Sequence, residues 1–192
     1  MYIISFDIGI KNMAYCIGNF INNEFKINKL EKIDLNCKNN NIQMIIDSTI
    51  EFLDYISSDF LKDEKIIILI ECQMTSKMKI IQTVINTYYK LINKYENVEI
   101  ETIYLSPKHK LNLIKNYITQ IPDSIINNKI VNDKYKQNKL DSIIFSKWIL
   151  ENIYKNDDIL EYFNSLKKKD DISDALLMVI YYYESKVILK ID

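Results

Sequence analysis

An α/β fold, with one mixed sheet and helices on both faces, is what the sequence predicts, and three observations predict it. The first 35 residues read as three strands joined by short connections. Two later apolar runs, residues 65–71 and 98–105, each follow a stretch of helical periodicity. No linker, repeat or low-complexity segment divides the chain, so one domain over residues 1–192 is expected to hold every element.

In order, YIISFDI (2–8) is an almost continuous apolar run, MAYCIGNF (13–20) is mixed, and EFKINKLEKIDL (24–35) alternates. The connections at Gly9–Asn12 and Asn22–Asn23 are short enough for an antiparallel meander. Ile42, Ile45, Ile46, Thr49, Leu53 and Ile56 mark an amphipathic helix over 42–60. KIIILIE (65–71) is β-branched and bounded by charge, as a central buried strand is. A helix over 77–95 and a strand over 98–105 follow. Ser106-Pro107 opens another helical stretch, with proline in the first turn. Residues 133–154 and 171–187 carry helical patterns, and 157–167 is a further candidate. The order β-β-β-α-β-α-β-α gives a five-stranded mixed sheet.

Composition removes several function classes. At 192 residues and 48% hydrophobic, the chain is long enough for a full core. No apolar run reaches the roughly 18 residues of a membrane span. The start MYIISFD lacks a basic region before a small-residue cleavage site, so no signal peptide is expected. Cys16, Cys37 and Cys72 are odd in number and lack metal-ligand spacing, which predicts reduced thiols. His109 is the single histidine, which excludes a histidine-rich zinc site and argues against a histidine-based triad. All 25 basic residues are lysine, and Ile, Asn and Tyr are abundant. These residues have A/T-rich codons, so the lysine excess reflects the genome before it reflects function.

The charge distribution says more than the net value of -1. Residues 72–95 hold four lysines (77, 79, 90 and 94) and no acid, while 104–140 hold seven lysines against Asp123 and Asp133. Residues 51–71 are acidic, six acids to two lysines. Basic segments in a nearly neutral chain can form a phosphate-binding face, although a solvated helix face is the commoner origin of any one of them.

Four acidic positions draw the argument toward a site. Asp7 and Glu71 each close a strand, and a carboxylate there is costly unless something pairs with it. One such residue is most simply the first polar residue after a strand; two, on strands that this order can place side by side, are harder to dismiss. In KKKDDISDALL (167–177), Asp171 and Asp174 are three apart on a helix, and Asp170 and Asp174 four apart, so spacing does not choose between them. Acids at a helix start also stabilise the macrodipole, which accounts for Asp170 and Asp171 better than for Asp174 beside Ala175-Leu176-Leu177-Met178. Two strand-end carboxylates with a helical pair suit hard divalent cations such as Mg²⁺. Two ions about 4 Å apart can activate water and stabilise the leaving oxygen in phosphodiester cleavage. Gly9 then lets the chain turn sharply after Asp7 and lets phosphate approach the backbone.

FDIGIKN, LIECQ, LSPKHK and KKDDISDALL, in this order and spacing, resemble the poxvirus Holliday-junction resolvases, relatives of bacterial RuvC among the ribonuclease H-like nucleases. The resemblance runs from Tyr2 to about Tyr183, and the composition suits an A/T-rich poxvirus genome. It implies a single RuvC-like nuclease domain, metal-dependent, with Asp7, Glu71, Asp171 and Asp174 as ligands to Mg²⁺, for which Mn²⁺ substitutes. It also implies an active-site lysine after the fifth strand, which is Lys110 or, in the alternative register, Lys108. Either could equally be a solvated lysine in a first helical turn. The implied substrate is four-way branched or concatemeric viral DNA, cut by paired symmetric nicks that leave ligatable 5′-phosphates. The implied setting is the host-cell cytoplasm at viral replication sites, with packaging in the virion as a second location.

Around that site, Lys11, Lys77, Lys79 and Lys108 are candidate phosphate contacts. Met74 and Met78, four apart after Glu71, could meet an open base stack, or could simply cap the core. A four-way junction has approximate two-fold symmetry, so a homodimer is expected, and the resembled family is dimeric. Its interface would use the 77–95 helix, where Ile81, Val84, Ile85, Tyr88 and Leu91/Ile92 form a stripe. Neither a membrane nor a nucleotide cofactor is expected. The actin-like and sugar-kinase ATPases also open on D-x-G, but they need two such domains and a second glycine-containing phosphate loop, and the other glycine here is Gly18, in mid-strand. A nuclease of the same fold acting on RNA–DNA hybrids, and a non-catalytic junction-binding protein, are the remaining alternatives.

Overall fold

The structure is a computed structural model and describes residues 1–22, 24–37, 41–58, 65–96, 98–107, 113, 116–117, 119–122 and 133–187. Strands β1 (Tyr2–Asp7), β2 (Met13–Ile21) and β3 (Glu24–Ile33) form the expected meander. Then come α1 (Ile42–Ser57), β4 (Ile66–Glu71), α2 (Ser76–Tyr95), β5 (Ile100–Leu105), α3 (Lys134–Asn152), α4 (Asp157–Ser165) and α5 (Asp170–Tyr182). The sheet order is β3-β2-β1-β4-β5, with β1 antiparallel to β2 and parallel to β4, and β4 parallel to β5. This is the predicted five-stranded mixed sheet. The helical stretch expected from Ser106 falls for the most part outside the described residues.

Alternation along the central strands explains why β1 and β4 read as continuous apolar runs. Ile4, Phe6, Ile68 and Ile70 point to one face, where α1 and α2 cover them through Leu53, Ile56, Ile81 and Ile85. Ile3, Ala14, Cys16, Ile67 and Leu69 point to the other, beneath α3, α4 and α5. Helices therefore lie on both faces. Among the described residues none is long and apolar enough to cross a membrane.

Local chemistry starts three of the helices. Asn41, Asp133 and Asn156 each accept backbone N–H bonds at the N-termini of α1, α3 and α4. The last helix departs from expectation: its α-form stops at Tyr182, and Tyr183–Val187 widen into a π turn. There the Tyr183 ring stacks on Phe25 with centroids 4.2 Å apart, and Tyr117 donates to Glu184. A regular helix would carry these side chains around its axis and away from those partners.

Gly18 sits where β2 and β3 slip register, between Ile17 and Gly18. A Cβ there would lie 2.4 Å from Phe25 Cζ, so glycine makes room for the ring that Tyr183 stacks upon. Gly9 is needed for a related reason. Its φ is not positive, but a Cβ would stand 2.8 Å from the Asn12 carbonyl oxygen, so the sharp turn after β1 depends on close backbone approach.

Candidate active site

Parallel pairing of β1 with β4 sets Phe6 opposite Ile70, so Asp7 and Glu71 emerge together at the carboxyl ends of two adjacent central strands. Both are largely buried, 9% and 8% exposed. Helix α5 packs across β1 and β2, and the buried Ser5 hydroxyl donates to the Ala175 carbonyl at 2.6 Å. That bond lies two residues from Asp7 and one from Asp174, and it brings the start of α5 over the strand ends. Asp7, Glu71, Asp171 and Asp174 line one cavity of about 450 Å³ together with Gly9. The position is a common one for sites in open α/β sheets, beyond the carboxyl ends of adjacent strands.

Asp170 lines the same cavity, but its main partner is protein. Lys139 Nζ donates to Asp170 Oδ2 at 2.7 Å, and the Asp170 side chain is 11% exposed. Burial pushes the Asp170 carboxyl up, and the hydrogen bond and charge of Lys139, with Lys168 adding to them, outweigh burial and hold it below the usual carboxylate value. The Asp170 hydrogen bond in turn raises the Lys139 ammonium. Spacing alone left Asp170 and Asp171 equivalent; in the structure each is held by a lysine, Asp170 by Lys139 of α3 and Asp171 by Lys168.

Lys139, with Tyr135 one turn before it, is the site residue that the sequence reading missed. Its ammonium sits 5.0 Å from the Tyr135 ring centroid, and both residues line the cavity. A signal was present, since a lysine and tyrosine four apart precede the serines Ser142 and Ser146, which turn out to be buried. It could not be interpreted before α3 was known to lie beside α5.

The carboxylates share a cavity without forming a finished coordination shell. Among the described residues, no group of three or more acidic, histidine or cysteine side chains is arranged to hold a metal ion. Local partners account for part of this. Glu71 Oε2 accepts from Gln73 Nε2 at 3.1 Å, and both oxygens of Asp171 accept from Lys168 Nζ, at 2.8 and 2.7 Å. The donor chemistry nevertheless fits a hard cation. Among the described residues, five carboxylates line the cavity, with Lys139 paired to Asp170 and Lys168 to Asp171, and the metal candidates among them offer oxygen donors.

Lys108 and Lys110 lie outside the described residues, as does His109. Lys11 is exposed on the turn after β1, and Lys77 and Lys79 are exposed in the first turn of α2. The two methionines part company: Met78 packs against the core beneath α2, whereas Met74 is 92% exposed three residues beyond Glu71. Of the expected interface stripe, Ile81 and Ile85 are consumed by the chain's own core. Val84, Tyr88 and Leu91 instead line an apolar groove of about 520 Å³ shared with Ile46 and Ile50 of α1.

No family model matches the sequence. An "Uncharacterized protein" of Acanthamoeba polyphaga mimivirus is 31% identical over 142 residues, covering 70% of this chain. The chain spans 33% of the length of that relative. Among solved structures, the fowlpox virus Holliday junction resolvase superposes with a TM-score of 0.61 at 25% identity, covering 96% of this chain and 99% of that one. The yeast mitochondrial Holliday junction resolvase gives a TM-score of 0.69 at 17% identity, covering 98% of this chain and 80% of that one. Sheet order and similarity along nearly the whole chain agree: the chain has the RuvC-like, ribonuclease H-like fold of these resolvases.

Proposed function

We propose that the chain is a metal-dependent endonuclease that resolves four-way DNA junctions by paired symmetric nicks. One observation carries this reading: Asp7 and Glu71, from adjacent parallel strands, share a cavity with Asp171 and Asp174 of α5, on a chain similar throughout to the fowlpox virus resolvase.

Asp7, Glu71, Asp171 and Asp174 would hold the ions, Mg²⁺ or Mn²⁺ and two per site. A divalent cation held there would supply Lewis-acid polarisation of the phosphate and acidify water. The chain's own groups do the rest. Gly9 exposes backbone for phosphate approach at the cavity wall. Lys139 fixes Asp170 and so braces α5 against α3 beside the ligands. Lys110, or in the alternative Lys108, follows β5 and is proposed as the active-site lysine. Lys11, Lys77, Lys79 and Lys108 would track the DNA backbone, where each phosphate contact adds affinity that salt weakens. Met74 would press against unpaired bases at the junction centre, as apolar wedges do elsewhere.

The partner would be a second copy of the chain across the α1–α2 groove. The DNA would be branched viral DNA in the host-cell cytoplasm or packaged with the virion, a setting that similarity to a mimivirus protein and a fowlpox virus resolvase supports.

The test is incubation with a labelled four-way junction, a plain duplex and an RNA–DNA hybrid, each with and without Mg²⁺. Cleavage of the junction alone, only with Mg²⁺ and leaving ligatable symmetric nicks, is expected. Preferential cleavage of the hybrid, or junction binding without cleavage in Mg²⁺ or Mn²⁺, would overturn the reading.

A further inference from the structure

Lysines 167, 168 and 169 immediately precede α5, and the metal-site reading uses none of them. A cation ahead of a helix N-terminus opposes the helix dipole, so helix-start chemistry explains the acids of KKKDD but not its lysines. Their side chains diverge. Lys167 is exposed, and Lys169 folds back to donate to the Leu166 carbonyl.

Lys168 turns to the acids instead. It donates to both oxygens of Asp171, and it lies 3.4 Å from Asp170 Oδ1. Its backbone carbonyl accepts from Lys32 Nζ at 3.3 Å, which ties the segment to β3. Because Lys139 already engages Asp170, Asp171 is the carboxylate that Lys168 chiefly holds. The Lys168 side chain is 51% exposed against 16% for Asp171, so the ammonium can leave toward solvent while the carboxylate keeps its place.

We propose that Lys168 is a tethered placeholder for the metal, holding Asp171 until a divalent cation displaces it. This inference rests on the metal-site reading and adds a built-in competitor to it. Ammonium and metal ion seek the same two oxygens. Tethering through a few residues gives the ammonium an effective concentration on the order of millimolar, so it occupies Asp171 without having to be drawn from solution. An exposed ion pair is weak, so a divalent ion with additional carboxylate ligands displaces it readily. Until then, Lys168 offsets repulsion among carboxylates that share a low-dielectric cleft.

Mn²⁺ binding to the full chain without DNA, followed by electron paramagnetic resonance, tests the idea, with circular dichroism to verify folding. Lys168→Met keeps the aliphatic stem and is expected to lower the half-saturating Mn²⁺ concentration about two- to five-fold. Lys168→Gln, a second neutral variant, should match it, and Lys168→Arg should return the wild-type value. The rise in melting temperature on adding Mn²⁺ should be larger for Lys168→Met than for wild type, because less binding energy goes to displacement. Asp171→Asn separates the two levels of inference. If wild-type binding depends on Asp171 but the neutral Lys168 variants bind no more tightly, the placeholder is overturned and the metal site stands. If wild type shows no Asp171-dependent Mn²⁺ binding, both are overturned.

Discussion

At the scale of single residues, Asp7 and Glu71 are buried carboxylates that close adjacent parallel strands. A carboxylate buried there is costly to the fold unless its charge is engaged, and in the proposed site a divalent cation would engage it. Asp7→Asn and Glu71→Gln preserve shape while deleting the charge of a proposed metal ligand. Each is expected to cut junction cleavage by about 100-fold or more while leaving junction binding intact. Gel-shift and cleavage assays on the same protein sample check both halves, and wild-type cleavage by either variant would refute the assignment. Glu184 is a contrasting case, far from the cavity. Burial raises its carboxyl pKa, and the hydrogen bonds from Tyr117 and Asn116 only partly oppose that rise. A raised carboxyl favours its protonated form in the folded state. Its contribution to stability is therefore full below the ordinary carboxylate value and is lost as pH climbs through the folded one. Glu184→Gln should flatten the pH dependence of the urea midpoint from about pH 4.5 upward, relative to wild type. Parallel slopes in the two proteins would count against it.

At the scale of elements, glycine position and loop exposure make sharper statements than helix or strand propensity. Gly18→Ala forces a Cβ toward Phe25 and to 3.1 Å from Val179 Cγ1, which crowds the bulge against α5. Overpacking of this kind costs about 1–3 kcal/mol, to be read from denaturant midpoints. Met74→Ala, at a side chain 92% exposed, should leave those midpoints alone and weaken junction binding relative to plain duplex. Equal affinity for the junction before and after would remove the wedge. The strands and most helices were legible in the sequence because β1 and β4 are buried on both faces and α1 alternates cleanly between core and solvent. Asp7, Glu71 and Asp174 stood out as candidates because each stands where an apolar pattern stops or turns, whereas only the family resemblance preferred Asp171 to Asp170. Lys139 was not, since its role depends on α3 lying beside α5, a relation that no local spacing encodes. The π turn was hidden for the same reason: Tyr183 and Glu184 depart from the helix for partners on β3 and near residue 117.

At the scale of the whole molecule, the proposed symmetry of the substrate meets a groove of suitable character. Ile50 and Leu91 are 38% and 50% exposed on facing helices, with Val84 and Tyr88 between them. A second copy across a two-fold axis would cover both helices at once and present two catalytic clefts to strands of like polarity. On a supercoiled plasmid bearing an extruded cruciform, a dimer should yield linear DNA directly, because both nicks fall within one bound lifetime. Leu91→Lys should convert the product to nicked circles, and sedimentation should follow the same change from dimer to monomer. A wild-type protein that sediments as a monomer and gives only nicked circles would contradict the dimer.

The bond from Ser5 to Ala175 joins residues 170 positions apart and aligns the two halves of the cleft. Its consequence concerns biosynthesis. A ribosome releases β1 and β4 long before α5 exists, so a growing chain has Asp7 and Glu71 but no Asp171 or Asp174 to complete the set. Contacts this distant also form late in folding, because loop-closure entropy must be overcome first. In the proposed site, cleavage would therefore await the synthesis and docking of α5, which carries Asp171 and Asp174.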